Sequence, residues 1–464
     1  MKRQRSRGRV ALAGAAAMCA MVALPGQAWA AGEPNPYVFQ PEAKQITGAT
    51  TTSDAKPLDP GSTYRDSIGP GGKLIYRLDL DAKTNAYVSA VAVPKLGTKV
   101  AFGDKIEVSL QNRQGNDCSS NDARFGTSGE YPRPLAAYAY RLIEKGAYSC
   151  QEEGPYFVVI ERTSEAGSTP DPWDLEIRHV SEPGLKEAGP TQAPSVWPSA
   201  SPVPVGGAPR VREGGTSFYD AKGLAQGEWT AKIEPGASLF YRVPVDWGQQ
   251  LYASADLGSS DGEGFVSGAF AVSLYNPARG LVDSSDSVSY DGKQKTTALD
   301  PLPPVAYENR FGFSTGDKDM RFAGWYYLRV SLHPEVAEKF GAKPYGLTLR
   351  VNVKGQARSG PGYAGPAGDF TVTPEKLDDA SNGQSGADVA RSDTMQLVAA
   401  AGIGAGTVLV LGLGVWTLLA RRRADQGTGQ SQGPDQGQGQ LPGQGPADAP
   451  TRPTHQYGPP PSGW

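Results

Sequence analysis

The chain has 464 residues, 45 of them Lys or Arg and 48 Asp or Glu, with three histidines and three cysteines. Both ends are relatively basic, so the stretch 31–420 carries about nine more acidic than basic residues. A surface of that sign repels polyanions, which makes nucleic acid and anionic lipid poor partners, and three scattered histidines give no spacing for a His/Cys metal centre.

At the N-terminus Lys2, Arg3, Arg5, Arg7 and Arg9 precede an apolar run from Val10 to Leu24, and Pro25 leads to the small-residue site Ala28-Trp29-Ala30. The pattern predicts a secretory signal peptide over 1–30, removed on export. Cys19 lies inside that run behind Met18, where a lipid-attachment motif would want a small residue, so it is expected to leave with the peptide. Cys118 and Cys150 then remain as an even pair facing an oxidising exterior, and the simplest expectation is a disulfide between them.

The organisation of the mature chain is a repeat. Residues 68–90 lie on 233–255 without a gap, and ten of the 23 positions are identical, among them Pro70/Pro235, Gly71/Gly236, Tyr76/Tyr241 and Tyr87/Tyr252. Three further blocks follow in the same order: Val108-Ser109-Leu110 with Val272-Ser273-Leu274, Gly154-Pro155-Tyr156 with Gly324-Trp325-Tyr326, and Pro172-Trp173-Asp174-Leu175 with Pro344-Tyr345-Gly346-Leu347. Four collinear blocks indicate a duplicated domain, occupying 31–180 and 214–353.

Each block has the period of a strand. Leu74, Tyr76, Leu78 and Leu80 point one way while Lys73, Arg77, Asp79 and Asp81 occupy the other face, and Tyr156-Val158-Ile160 and Trp173-Leu175-Ile177 repeat the alternation. Pro-Gly before the first strand supplies a turn, and the connections are rich in Gly, Asp, Asn and Ser. The expected fold is all-β: two tandem β-sandwiches with a jelly-roll-like or Greek-key arrangement.

The series Tyr-x-Leu-x-Leu at Tyr76, Val-Ser-Leu at Val108, Gly-x-Tyr-x-Val at Gly154 and aromatic-x-Leu-x-Ile at Trp173 resembles the bacterial pre-peptidase C-terminal domain, a small secreted β-sandwich. The second copy, with Gly324-Trp325-Tyr326-Tyr327-Leu328 and Pro344-Tyr345-Gly346-Leu347, resembles it more closely. The resemblance covers both modules and nothing else, and it implies a non-catalytic accessory or binding role.

Between the modules, 181–213 spaces seven prolines through Ala, Ser and Gly, and reads as a semi-rigid, extended linker. The stretch 354–394, rich in Gly, Ala, Ser and Asp, is expected to lift the modules off a membrane as a stalk. The 24 residues from 397 to 420 are uncharged and mostly apolar, with Arg421, Arg422 and Arg423 at once behind them. This predicts a transmembrane helix with the tail inside and the modules outside, a type I topology. Gly402 and Gly406 within it form a Gly-xxx-Gly step, open between a lipid-facing surface and a helix-pairing seam. The tail, 421–464, alternates Gly, Gln and Pro and has too little apolar surface to fold.

Motifs with chemistry are few. Gly258-Ser259-Ser260-Asp261-Gly262 matches the Gly-x-Ser-x-Gly elbow of hydrolases, but that elbow needs a strand before it, a helix after it and a histidine placed by the fold. The available histidines are His179, His333 and His455, the last in the tail. Asp283, Asp286 and Asp291 cluster in one loop of the second module, with Asp261 in another, and their hard oxygens are weak candidates for calcium. No other cofactor is expected. The aromatics Tyr76, Tyr87, Trp173, Trp325 and Tyr326 could form a sugar platform, but their alternation assigns them mainly to core packing.

Together these readings predict a single-pass cell-surface protein of a Gram-positive bacterium, non-catalytic, whose paired β-sandwiches bind a protein or glycan partner in the envelope. The alternatives are a hydrolase with an unrecognised loop active site and an accessory subunit of an export or protease complex.

Overall fold

The computed structural model describes residues 34–424 apart from 127, 128, 145, 201, 203–205 and 286; the side chains of 396–405 and 423–424 are likewise outside the description. The expected signal peptide with Cys19, the tail beyond Ala424 with His455, and Asp286 therefore lie outside the described residues. The chain divides into two compact units, Met1–Thr394 and Met395–Trp464.

The first unit is mostly β-sheet. One set of strands is β1 (Thr63–Ile68), β2 (Lys73–Leu80), β3 (Asn85–Val93), β4 (Lys105–Gln111), β5 (Asp117–Arg124), β6 (Leu135–Arg141), β7 (Gly154–Thr163) and β8 (Trp173–Glu182). The second set is β9 (Gly227–Ile233), β10 (Ser238–Val245), β11 (Gln250–Leu257), β12 (Val266–Tyr275), β13 (Leu281–Ser284), β14 (Lys295–Ala298), β15 (Gly324–Leu332) and β16 (Tyr345–Lys354). The sheets run β1-β8-β3-β6 and β2-β7-β4-β5, then β9-β16-β11-β14 and β10-β15-β12-β13. In each set the first strand pairs with the last and the second with the seventh, which is the winding of a jelly roll.

Register shows the duplication directly. Trp173 stands opposite Ile68 as Tyr345 stands opposite Ile233, and Leu80 opposite Gly154 as Val245 opposite Gly324. Two-residue strands ahead of each set, Lys44–Gln45 and Lys56–Pro57, then Arg210–Val211 and Lys222–Gly223, add parallel edges in matching places. The repeat thus begins earlier than the sequence blocks suggest, because these short strands carry no apolar alternation. The Pro-Gly turns place Gly71 and Gly236 at φ of 65° and 83°, a conformation that excludes most side chains.

Each pair of sheets encloses its own core. Tyr76, Leu78, Val108, Leu110, Val158, Ile160 and Leu175 fill the first, and Trp229, Tyr241, Leu274, Tyr326 and Leu349 belong to the second. A third apolar layer joins the sandwiches: Val91 and Ala136 meet Phe218, Phe240 and Tyr275, while Tyr87, Tyr138 and Val180 meet Ala278, Phe322 and Phe370. Buried ion pairs cross the same layer, Arg279 to Glu176 at 2.5 Å and Arg310 to Glu182 at 2.9 Å. The sandwiches are therefore mated face to face, with the β1-β8-β3-β6 sheet of one against the β10-β15-β12-β13 sheet of the other.

This mating alters two sequence expectations. The Pro-rich stretch 181–213 is not a spacer: Leu185 bridges to Tyr363, and Pro198 O accepts a 2.7 Å hydrogen bond from Gln250. The stretch 354–394 is not a stalk but a strap along the sandwiches. Tyr363 donates to Glu182 at 2.7 Å, Phe370 is fully buried against Phe322 at 4.5 Å, and helix α3 (Pro374–Asn382, following the short helices α1 Thr315–Asp319 and α2 Glu335–Phe340) buries Ala380. Composition hid this because a few large residues among many small ones suffice to anchor an extended segment.

Cys118 and Cys150 form the expected disulfide, with Cα atoms 5.8 Å apart. Cys118 lies on strand β5, a polar stretch whose pairing with β4 does not depend on apolar alternation.

Helix α4 runs from Gly386 to Ala424 and contains the expected membrane span 397–420. Part of that span has side chains outside the description, and among the described residues no helix is long and apolar enough to cross a membrane.

Candidate functional site

A groove of about 1000 Å³ lies on the outer face of the β9-β16-β11-β14 sheet, where Gln250 and Tyr252 of β11 and Lys354 of β16 form its floor. One wall is the Pro-rich connection with Trp197 and Pro198; the other is Pro303–Asn309 with Tyr307, and the strap 355–362. The volume is in the range of sites that enclose a small ligand or a short run of a longer one.

The tight turn Asp246-Trp247-Gly248-Gln249, which carries the chain from β10 in one sheet to β11 in the other, organises the base. Its chain reverses through Gly248 at φ 77°, and the Asp246 carboxylate accepts from the Trp247 backbone N–H at 2.8 Å. Burial pushes the Asp246 carboxyl up, and this backbone bond opposes the shift. Three further backbone bonds pin the turn: Gly248 N–H to Val305 O at 2.7 Å, Val305 N–H to Gln249 O at 2.8 Å, and Arg358 N–H to Trp247 O at 2.9 Å. Trp247 is buried, edge-on to Tyr363 at 6.4 Å, and the strap approaches so closely that a Cβ on Gly360 would lie 2.7 Å from the indole nitrogen.

On the floor, Gln250 Nε2 donates to Pro198 O and Leu302 O, both at 2.7 Å, and Tyr252 donates to Ala200 O at 3.4 Å. The Lys354 ammonium sits 5.7 Å over the Tyr252 ring, and burial raises the Tyr252 pKa. Tyr307 is half-buried beneath the Arg310 guanidinium at 3.4 Å. Aromatic faces, a cation and a rigid turn in one concavity form a surface suited to stacking and hydrogen bonding.

The residues singled out from sequence fall elsewhere. Ser260 lies in the loop after β11, and its hydroxyl meets the carbonyls of Asp261 at 3.1 Å and Phe340 at 3.5 Å. His179 holds its Nδ1 2.8 Å from Leu58 O, and His333 Nδ1 accepts from the Glu335 N–H at 3.2 Å, so neither histidine is brought to Ser260 as an elbow would require. Asp283 is in β13 and accepts from the Asp300 N–H at 3.0 Å, while Asp291 pairs with Lys295 at 2.9 Å. Among the described residues no three His, Cys, Asp or Glu side chains gather as metal ligands would. Tyr76, Trp173 and Tyr326 are buried in the two cores, Tyr87 in the layer between the sandwiches, and Trp325 is covered by the Arg242 guanidinium at 4.1 Å.

Trp197, Trp247 and Tyr307 were not singled out from sequence. One signal was available for Trp247: the repeat aligns it with Ala82, so a large aromatic enters the turn between two strands in the second copy alone.

No family model and no curated protein matches the chain. Among solved structures it is similar to the tandem CBM22 domains of Paenibacillus barcinonensis Xyn10C, at 11% identity over 66% of this chain and 100% of that one, with a TM-score of 0.16. Tandem CBM51 modules of a Streptococcus pneumoniae family 98 glycoside hydrolase match at 9% identity over 64% of this chain and 84% of that one, TM-score 0.16. The Broad Bean Stain Virus structure matches at 8% identity over 69% and 95%, TM-score 0.19. Scores this low support no inference about function.

Proposed function

We propose that the chain is a non-catalytic, membrane-anchored binding protein of the bacterial envelope, in which the stacked sandwiches hold the aromatic groove rigid for a glycan or an extended peptide. The pinned Asp246-Trp247-Gly248 turn is the observation that carries this reading. A turn fixed by backbone bonds on both sides spends no ordering entropy when a partner docks, and preorganisation is what converts modest contact area into affinity. The accessory role implied by the likeness to pre-peptidase C-terminal domains agrees with it.

The anchor rests on helix α4. Val408, Leu409, Val410 and Leu411 are each 64–69% exposed, and four consecutive residues at about 100° apart cover the whole circumference of a helix. A helix apolar all round is buried in lipid or protein. Arg421 and Arg422 behind it support a cytoplasmic tail by the positive-inside rule.

The test uses the full chain in detergent with two probes, isolated peptidoglycan sacculi and a glycan array. Trp197→Ala, a half-buried position on the wall, should weaken binding to whichever probe is captured by about tenfold or more. Undiminished binding by this variant would remove the groove from the account. Turnover of an ester or peptide panel that is lost in Ser260→Ala would replace binding with hydrolysis.

A further inference from the structure

A second cavity, about 420 Å³, opens where the β6–β7 connection of the first sandwich meets the β14–β15 connection of the second. These are the same connection in the two copies. One side is Leu142, Glu144, Ala147 and the disulfide at Cys150; the other is Arg310, Gly312, Lys318 and Arg321. Tyr148 beside Ala147 and Phe313 beside Gly312 are wholly exposed at the two rims, a placement that only contact with something else would relieve of water.

The polar floor is incompletely satisfied. Arg321 is 1% exposed; its Nη2 donates to Tyr138 Oη at 3.3 Å and lies 3.8 Å from Asp319 Oδ1, but among the described residues its Nε has no partner. A buried guanidinium donor without an acceptor costs more than a neutral one, so its survival calls for an acceptor arriving from outside the chain. Asp319 is a weak counter-charge, because it already accepts from the Tyr138 hydroxyl and burial pushes its carboxyl up.

Charge selects the ligand. Arg310, Arg321 and Lys318 face Glu182, which is committed to Arg310, the compromised Asp319, and Glu144 at the rim. Three cations thus stand against three carboxylates, so the site holds no surplus charge: the unpartnered Arg321 Nε calls for one acceptor, and a doubly charged ligand is disfavoured. We propose that this cavity binds the carboxylate of a small ligand of sugar-acid size, with Arg321 Nε and Lys318 as its donors. The site is separate from the aromatic groove and does not depend on the reading given to that groove.

The full chain in detergent is titrated with glucuronate, glucose and inorganic phosphate, with binding followed by saturation-transfer NMR and calorimetry. Glucuronate is expected to bind, glucose not to bind, and phosphate to bind more weakly than glucuronate. Arg321→Lys keeps the charge and removes Nε, and should weaken glucuronate by about tenfold or more. Lys318→Gln, at a half-buried rim where folding is not at stake, should weaken it several-fold. Equal binding of glucose, tighter binding of phosphate, or a Lys318→Gln affinity equal to that of the unmodified chain would overturn the assignment. Loss of glucuronate in Trp197→Ala with retention in Lys318→Gln would place the ligand in the groove and overturn it as well.

Discussion

In the first sandwich, Asn85 and Tyr87 on β3 both donate 2.7 Å hydrogen bonds to Glu182 on β8, and the trio is buried where the two sandwiches mate. In the second, the repeat puts Gln250, Tyr252 and Lys354 in the same places, and there they line the open groove. The strands, the register and the inward residues are common to both. What differs is one charge: a carboxylate at 182 finds Arg310 of the other copy, whereas an ammonium at 354 has no such partner surface and lies over Tyr252 instead. Duplication preserved the framework while outward-facing residues turned one equivalent surface into an internal joint and the other into a candidate binding face.

Breaking the joint should be the most costly change. Glu182 accepts from Asn85, Tyr87, Arg310 and Tyr363, and Glu182→Ala leaves the Arg310 guanidinium buried without its carboxylate. A loss of roughly 3–5 kcal/mol is expected in denaturant unfolding, since removing one partner of a buried ion pair strands the other. Lys354→Ala, at the equivalent position, should change stability little. If both substitutions cost the same, the two faces are not used differently.

The disulfide is the next difference, because the second copy has no cysteine. Its loop spans a sequence separation of 32, and Cys150 is buried in the first core. Cys118→Ser should cost about 3–4 kcal/mol on the chain-entropy view, seen as earlier melting of the first sandwich by proteolysis of its β5–β7 region. The mature protein should show no free thiol before reduction. Unchanged protease resistance in the variant would mean that the bond adds nothing to this copy.

Much of the fold was legible because burial in a sandwich demands a period of two, which Leu74, Tyr76, Leu78 and Leu80 keep and Leu239, Tyr241, Val243 and Val245 repeat, although the joint buries the other face of the second strand as well. The pairing of Trp173 with Ile68 and of Tyr345 with Ile233 turned those matched blocks into matched registers. The mating of the copies was not legible. It depends on side chains such as Phe240 and Tyr275 that point away from their own core, and alternation cannot distinguish an outward aromatic that meets solvent from one that meets another sheet. The groove was hidden for a related reason: its walls come from Pro- and Gly-rich connections, where composition announces an absence of regular structure but not where the chain lies.

His179 supplies the finest distinction between the copies and the smallest expected effect. It occupies the place that Val351 takes in the second sandwich, each being buried on the last strand of its set. Burial lowers the His179 pKa, more than the bond from Nδ1 to Leu58 O and the nearby Asp59 carboxylate raise it, and its Nε2 has no partner among the described residues. The imidazole is therefore neutral in the folded chain at pH values where the unfolded chain, with an ordinary histidine near 6.5, already takes up a proton. Stability contributed by keeping it neutral is present above about pH 6.5 and is lost as pH falls below that value, because the unfolded state then binds more protons than the folded one. Burial also lowers the pKa of His333, so the informative quantity is a difference. Thermal melts from pH 8 to 5.5 should fall more steeply for the unmodified protein than for His179→Val, which gives the first copy the residue of the second. Parallel profiles for the two proteins would show that folding leaves the proton affinity of His179 unchanged, and that the equivalent strands do not differ in their response to acid.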